Sequence, residues 1–108
     1  MQRGMMMQFD KLPLPVYVLR VEADASGLPQ DFIFVYANSA CASFLGKKNK
    51  NYLLGMSFSD IWGDNGAKWL NIYTKTALEG LTQNIEDYNE NLKKYLSVDC
   101  YQPMYGYC

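Results

Sequence analysis

The most reactive side chains in this chain of 108 residues are three cysteines, Cys41, Cys100 and Cys108. An odd number of thiols without a short pairing does not predict a disulfide framework, and it favours the reducing cytoplasm. The chain has no histidine. This absence excludes Ser-His-Asp and Cys-His nucleophiles, histidine metal ligands and haem bound through histidine. We predict no catalytic residues and no metal site.

The carboxylates and the basic residues favour no reaction either. Asp60, Asp64 and Asp87 are predicted to be caps and loop charges, because no two of them are spaced to face each other across a cleft. Ten basic and eleven acidic residues leave a net charge of -1, which indicates neither nucleic acid nor an anionic membrane as partner. The lysine-rich residues 47–50 lack a glycine-rich loop, so we interpret them as a solvated loop.

Two strands are predicted in the first third of the chain. Residues 16–21 and 32–37 are rich in β-branched and aromatic side chains, and residues 22–31 between them are typical of a loop or hairpin connection. Asn38 then has the right side chain to cap a short helix over residues 39–45, and Gly46 suits the position after it.

A helical block and two further strands follow. Residues 51–55 predict a single turn, Ser57 caps a short helix over 58–62, and an apolar stripe predicts a longer helix over 67–79. Strands are expected at 83–88 and at 94–102, the latter alternating with one core face, and a turn at 103–106 leads to the first residues of one more strand. Strands before and after a helical block indicate the α+β class with an antiparallel sheet. No apolar run approaches the ~20 residues needed to span a bilayer.

This order of elements resembles that of PAS domains, especially those of bacterial sensory-box proteins, over residues 14–107. The stretches that carry the resemblance are Phe34-Val35-Tyr36-Ala37-Asn38, the run from Leu53 to Trp62, Trp69-Leu70-Asn71-Ile72-Tyr73, Ala77-Leu78-Glu79-Gly80, and Val98-Asp99-Cys100-Tyr101-Gln102-Pro103 with Gly106-Tyr107. The resemblance implies a lead-in or cap at residues 1–13. It also implies a PAS domain at 14–108 with an antiparallel sheet of up to five strands, and with short helices and one longer helix on one face.

The chain departs from the family in two places. Members often have glycine, arginine and tryptophan where this chain has Leu92-Lys93-Lys94. The family also has a fifth strand after the position of Tyr107, in the centre of the sheet between the first and fourth strands, and most of that strand is absent. The open slot would expose backbone donors and acceptors that need partners. We expect another chain or residues 5–9 to fill it.

The resemblance implies a sensory, signal-transducing module that binds a small molecule or partner. It would relay a conformational change to an output domain in a longer chain, such as the histidine kinase of a two-component system or a diguanylate cyclase. The alternative is a dimerisation scaffold without a ligand. In this family a small organic ligand lies between helices and sheet, and the residues expected near it are Tyr36, Trp62, Trp69, Tyr73, Leu96 and Val98.

No cofactor is predicted. A flavin photosensor of the LOV type needs its cysteine in an asparagine-cysteine-arginine-phenylalanine helix, and Cys41 lies in a different sequence in the earlier helix. Residues 32–37 are apolar on both alternating sets, so their outer face needs a cover. We therefore expect a homodimer built from this face and the N-terminal segment.

Overall fold

The computed structural model of the chain describes residues 9–47, 49–63, 67–90 and 93–108. The predictions for Lys48, Asp64 and Leu92, and those for the lead-in before Phe9, lie outside the described residues. The described part belongs to the α+β class, as predicted. None of its helices is long and apolar enough to cross a bilayer.

The elements follow one another in the predicted order. Strands β1 and β2 come first, then helices α1, α2 and α3, with a 3-10 turn at Lys50–Tyr52 between α1 and α2, and then strands β3 and β4. Their bounds are β1 Tyr17–Ala23, β2 Pro29–Ala37, α1 Ser39–Phe44, α2 Phe58–Trp62, α3 Ala67–Glu79, β3 Gln83–Asn89 and β4 Lys94–Cys100.

Strands β1 and β2 form an antiparallel hairpin that is longer than expected from the sequence. The carboxylate of Asp24 accepts hydrogen bonds from the backbone N–H groups of Ser26 and Leu28, both at 2.9 Å. Gly27 supplies the left-handed conformation, with φ +86°. This compact turn lets the strands pair as far as Ala23 and Pro29, so the predicted loop at 22–31 shrinks to residues 24–28.

A β-bulge interrupts this hairpin near its open end. Leu19 pairs with Phe34, whereas the adjacent Val18 pairs with Tyr36, so one residue of β2 is passed over. Paired residues lie on the same face of a sheet and consecutive residues on opposite faces. Tyr36 therefore projects from the outer face, opposite to Phe34, although the spacing of the two residues predicts a shared face.

The helices pack against the inner face of the first hairpin around an aromatic core. Ser57 caps α2 through a hydrogen bond from the N–H of Asp60 to its hydroxyl, at 3.1 Å. Helix α3 has the predicted bounds, and its apolar stripe is buried. The core contains Leu19, Phe32, Phe34, Leu53, Phe58, Trp62, Trp69 and Tyr73.

Strands β3 and β4 form a second antiparallel hairpin, in uninterrupted register from Gln83 opposite Cys100 to Asn89 opposite Lys94. Burial alternates along β4, with Leu96, Val98 and Cys100 on the core side, as predicted. The two hairpins do not pair with each other. The expected antiparallel strands thus form two sheets of two strands, and no described strand lies between β1 and β4.

The last residues of the chain pair with the free edge of β1. The N–H of Leu19 donates to the carbonyl of Cys108 at 2.7 Å, and the N–H of Cys108 donates back to the carbonyl of Leu19 at 2.9 Å. The N–H of Val21 donates to the carbonyl of Gly106 at 2.8 Å. Residues 106–108 thus pair antiparallel with β1, where the sequence predicts the first residues of one more strand.

Candidate functional site

A cavity of about 470 Å³ separates the two hairpins. Consecutive residues of β1 line one side, from Tyr17 to Leu19, and consecutive residues of β4 line the other, from Tyr95 to Cys100. Successive side chains of a strand point to opposite faces, so a cavity that reaches every residue in turn runs along the strand edge. The cavity therefore lies between the edges of β1 and β4.

Aromatic side chains form the inner wall of the cavity. Trp62 projects from α2, and Trp69 and Tyr73 project from α3 one turn apart, with 5.7 Å between their ring centroids. Tyr73 also contacts Phe58 edge to face at 5.2 Å, which holds its ring against the core. Leu96 and Val98 of β4 complete the apolar lining. Cavities of a few hundred cubic ångströms with such a lining are typical of small-molecule sites.

A pair of tyrosine hydroxyls introduces a polar group into this wall. The hydroxyl oxygens of Tyr17 and Tyr73 are 2.5 Å apart and share a hydrogen bond. Burial raises the pKa of both phenols well above the usual value. Both hydroxyls therefore stay neutral at physiological pH, where they can donate or accept a hydrogen bond but cannot supply a negative charge.

All three cysteines line the same cavity as free thiols. Burial raises the pKa of Cys41 and Cys100 to about 11 and that of Cys108 to about 12. The thiolate is the nucleophile and the metal ligand, so these thiols are poor in both roles at neutral pH. Among the described residues, no group of cysteine and carboxylate side chains is arranged to hold a metal ion.

Tyr36 lies outside this lining. Its hydroxyl donates to the carboxylate of Asp10 at 2.6 Å, and its ring lies 6.0 Å from that of Phe9, centroid to centroid. Asp10 also forms an ion pair with Lys50 at 2.8 Å. The hydrogen bonds from Lys50 and Tyr36 lower the pKa of Asp10. Tyr36 thus anchors the N-terminal segment to the outer face of the first hairpin.

Asn38 joins that segment to the rest of the fold. Its side-chain oxygen accepts from the N–H of Cys41 at 2.9 Å and from the N–H of Val16 at 3.0 Å. Its amide nitrogen donates to the carbonyls of Phe9 at 3.0 Å and Leu14 at 2.8 Å. The side chain is fully buried and uses both its donors and its acceptor. Asn38 is therefore more than the N-cap of α1.

The structure brings Trp62, Trp69, Tyr73, Leu96 and Val98 together around one cavity and places Tyr36 elsewhere. The sequence did not predict that Tyr17 and the three cysteines also line this cavity. The alternation of Tyr17 with Leu19 could have placed Tyr17 on the inner face, but its hydrogen bond to Tyr73 spans 56 positions and has no local signal.

Asp60 and Asp87, the two of the three carboxylates from the sequence analysis that the structure describes, have different surroundings. The side chain of Asp87 forms an ion pair with Lys68 of α3, and the hydrogen bond from Lys68 lowers the pKa of Asp87. Asp60 lies in the first turn of α2. Neither residue lines the cavity between the hairpins.

Comparison of the chain with protein-family models, with curated proteins and with solved structures finds no match.

Proposed function

We propose that this chain is a cytosolic sensory module of the PAS type. In this proposal the cavity between β1 and β4 is its receiving site. The observation that carries the proposal is the cavity itself, an apolar space of about 470 Å³ with Trp62, Trp69 and Tyr73 on its inner wall. The module has no catalytic role. It serves a longer signalling protein whose output domain is a histidine kinase or a diguanylate cyclase.

The way in which the second hairpin is attached supports a relay role. Gln83 of β3 donates to the carbonyl of Ile72 and to the hydroxyl of Thr76, both at 2.8 Å. Gln102, just after β4, donates to the carbonyl of Ala77 at 2.8 Å. These bonds connect the second hairpin to α3 instead of to β1. A ligand that contacts β1, α3 and β4 at once would shift the packing of the second hairpin relative to α3 and β1. The segments that flank the module would carry this shift to the output domain.

A binding experiment with the fluorescent dye ANS tests the receiving site. ANS carries an apolar ring system, so we expect saturable binding with energy transfer from Trp62 and Trp69. The variant Val98→Trp places a large side chain into the cavity and should weaken binding about fivefold or more, because the added volume displaces the dye. Leu54→Trp is the matched control, since Leu54 is exposed and does not line the cavity.

Near-ultraviolet circular dichroism must show native packing in each variant, because ANS also binds loosely packed states. Equal affinity of the protein, Val98→Trp and Leu54→Trp would contradict the receiving site. So would the absence of saturable binding.

A further inference from the structure

The hydroxyl pair of Tyr17 and Tyr73 has one proton more than its own hydrogen bond uses. Two hydroxyl groups carry two protons, and the hydrogen bond between the two oxygens takes one of them. Neither hydroxyl forms a second hydrogen bond with a described residue. A donor that is shielded from water and has no acceptor is costly. The pair therefore needs an acceptor for its unused proton.

This pair belongs to the wall of the cavity between the hairpins. Tyr17 and Tyr73 both line the cavity, and the side chain of Tyr73 is only 3% exposed. Burial raises the pKa of Tyr17, and the three neighbouring thiols add to this effect. Thiol sulfur is a weak hydrogen-bond acceptor, so the thiols do not replace an oxygen or nitrogen atom as partner. The unused proton is thus offered to whatever molecule occupies the cavity.

The charges around the cavity favour an uncharged ligand. None of the described residues that line it is a lysine or an arginine, and Asp99 is the one carboxylate among them. Asp99 lies on the exposed face of β4, where it accepts a hydrogen bond from the side-chain nitrogen of Asn84 at 2.7 Å. An anion that enters the cavity would lose its hydration without gaining a positively charged partner. A cation would lie against neutral phenols and thiols.

The inner wall favours an aromatic ring. The rings of Trp69 and Tyr73 are 5.7 Å apart with 33° between their planes, and Trp62 lies on the same wall. Aromatic rings attract one another in offset-stacked and edge-to-face arrangements. Tyr73 belongs both to this wall and to the hydroxyl pair. A ligand can therefore place its ring against the wall and an acceptor atom at the pair.

We infer that the cavity selects an uncharged aromatic molecule that carries a hydrogen-bond acceptor such as a carbonyl, and that the hydroxyl pair of Tyr17 and Tyr73 recognises this acceptor. This inference rests on the proposed receiving site and names the class of its ligand. A bound ligand shields the pair from water. A hydrocarbon then leaves the unused proton without an acceptor, whereas a carbonyl oxygen accepts it. A site of this kind discriminates against the ligand that lacks the polar group.

Two probes of similar shape test this recognition. Acetophenone has a carbonyl oxygen where α-methylstyrene has a methylene group, and NMR titration of the full chain measures the affinity for each. In the variant Tyr17→Phe/Tyr73→Phe, the ratio of the acetophenone affinity to the α-methylstyrene affinity should fall about fivefold or more, because the carbonyl loses its donor. The ratio cancels the different hydration of the two probes, since each probe is the same in both proteins.

The double variant removes both partners of one hydrogen bond and keeps both rings, so it should fold. Its binding of α-methylstyrene checks that the cavity is intact. Tyr88→Phe is the matched control, because Tyr88 is exposed and does not line the cavity. Its affinity ratio should equal that of the unaltered protein. An equal ratio in the unaltered protein and the double variant would overturn recognition by the pair.

A second readout does not depend on the variants. The carbonyl carbon of acetophenone, labelled with carbon-13, should change its chemical shift on binding in the direction that a hydrogen bond to the carbonyl oxygen produces. A bound probe whose carbonyl signal resembles that in a hydrocarbon solvent would overturn the inference, even if the double variant fails to fold.

Benzoate tests the selection for an uncharged ligand. It resembles acetophenone in shape but is an anion at pH 7, so it should bind about tenfold more weakly or worse. Equal affinity for benzoate and acetophenone would overturn this selection. ANS differs from benzoate, because its anilino ring can enter the cavity while the sulfonate on its other ring system stays in solvent.

These outcomes separate the inference from the proposed function. If both neutral probes bind and the affinity ratio does not depend on the hydroxyl pair, the receiving site stands and the inference fails. If the ratio falls in the double variant alone, both stand. If neither probe binds and ANS does not bind either, the receiving site fails and the inference fails with it.

Discussion

Asn38 is the residue whose single side chain connects most of the fold. It links α1, the start of β1 and the N-terminal segment through four hydrogen bonds. Asparagine is a common N-cap, so the first of these roles could be predicted from its position after an apolar strand. The bonds to Phe9 and Leu14 could not, because they depend on where a distant segment lies.

The substitution Asn38→Ala should lower the free energy of unfolding by about 2–4 kcal/mol, since it removes a cap and leaves buried backbone groups without partners. Asn49→Ala is the matched control. Asn49 caps the 3-10 turn through one exposed hydrogen bond, to the N–H of Asn51, and its loss should cost about 1 kcal/mol or less. Urea denaturation measures both changes. Similar losses in the two variants would contradict the connecting role of Asn38.

The buried thiols make stability depend on alkaline pH. Burial raises the pKa of Cys100 from 9.0 to about 11. The folded state therefore favours the neutral thiol, and its contribution is complete below pH 9 and is lost as pH rises towards 11. We expect the urea midpoint to fall over this range and to fall less in Cys100→Ala. A midpoint that rises between pH 9 and pH 11 would contradict the burial of the thiols.

At the scale of elements, the bounds of helices and strands could be predicted from local patterns better than the pairing between distant strands. The bounds of α2 and α3 could be predicted because their signals are local. Ser57 directly precedes α2 as its cap, and the apolar stripe of α3 lies within that helix. The side of the sheet on which Tyr36 lies could not, because a bulge in the hairpin reverses the alternation. The separation of β1 from β4 has no local signal either, since strand pairing across most of the chain is decided by tertiary packing.

Gln83 tests how the second hairpin is attached. Gln83→Ala removes two hydrogen bonds to α3, so the buried hydroxyl of Thr76 and the carbonyl of Ile72 lose the donor that Gln83 provides. It should cost about 1–2 kcal/mol. Hydrogen exchange should accelerate more in β3 and β4 than in β1 and β2. Asn84→Ala is the control, because Asn84 lies on the exposed face of β3 and bonds Ser97 and Asp99. A uniform acceleration in all four strands would contradict attachment through α3.

At the scale of the whole molecule, the N-terminal segment covers part of the outer face. Phe9 and Asp10 contact Tyr36 there, while Ile33 and Val35 are only half-buried. We propose a homodimer formed by this face together with the N-terminal segment. Apolar residues on a sheet face that its own chain covers only in part favour such an interface.

Deletion of residues 1–11 should weaken self-association, measured as a lower weight-average mass in sedimentation. Phe9→Ala, which removes the ring but keeps the backbone bond to Asn38, should weaken it in the same direction. The exposed Leu28 in the β1–β2 turn provides the control, Leu28→Ala, which should leave the mass unchanged. An unchanged mass after the deletion would contradict a dimer formed through this face.

The central claim is that one cavity, bounded by both hairpins, is the receiving site. The most direct measurement is a titration of the full chain with ANS, followed residue by residue in nitrogen-15 NMR spectra. The account predicts that amide signals of β1 from Tyr17 to Leu19 and of β4 from Leu96 to Cys100 shift together along one saturation curve. Shifts confined to one hairpin, or to the exposed tyrosines Tyr88 and Tyr105, which do not line the cavity, would contradict it.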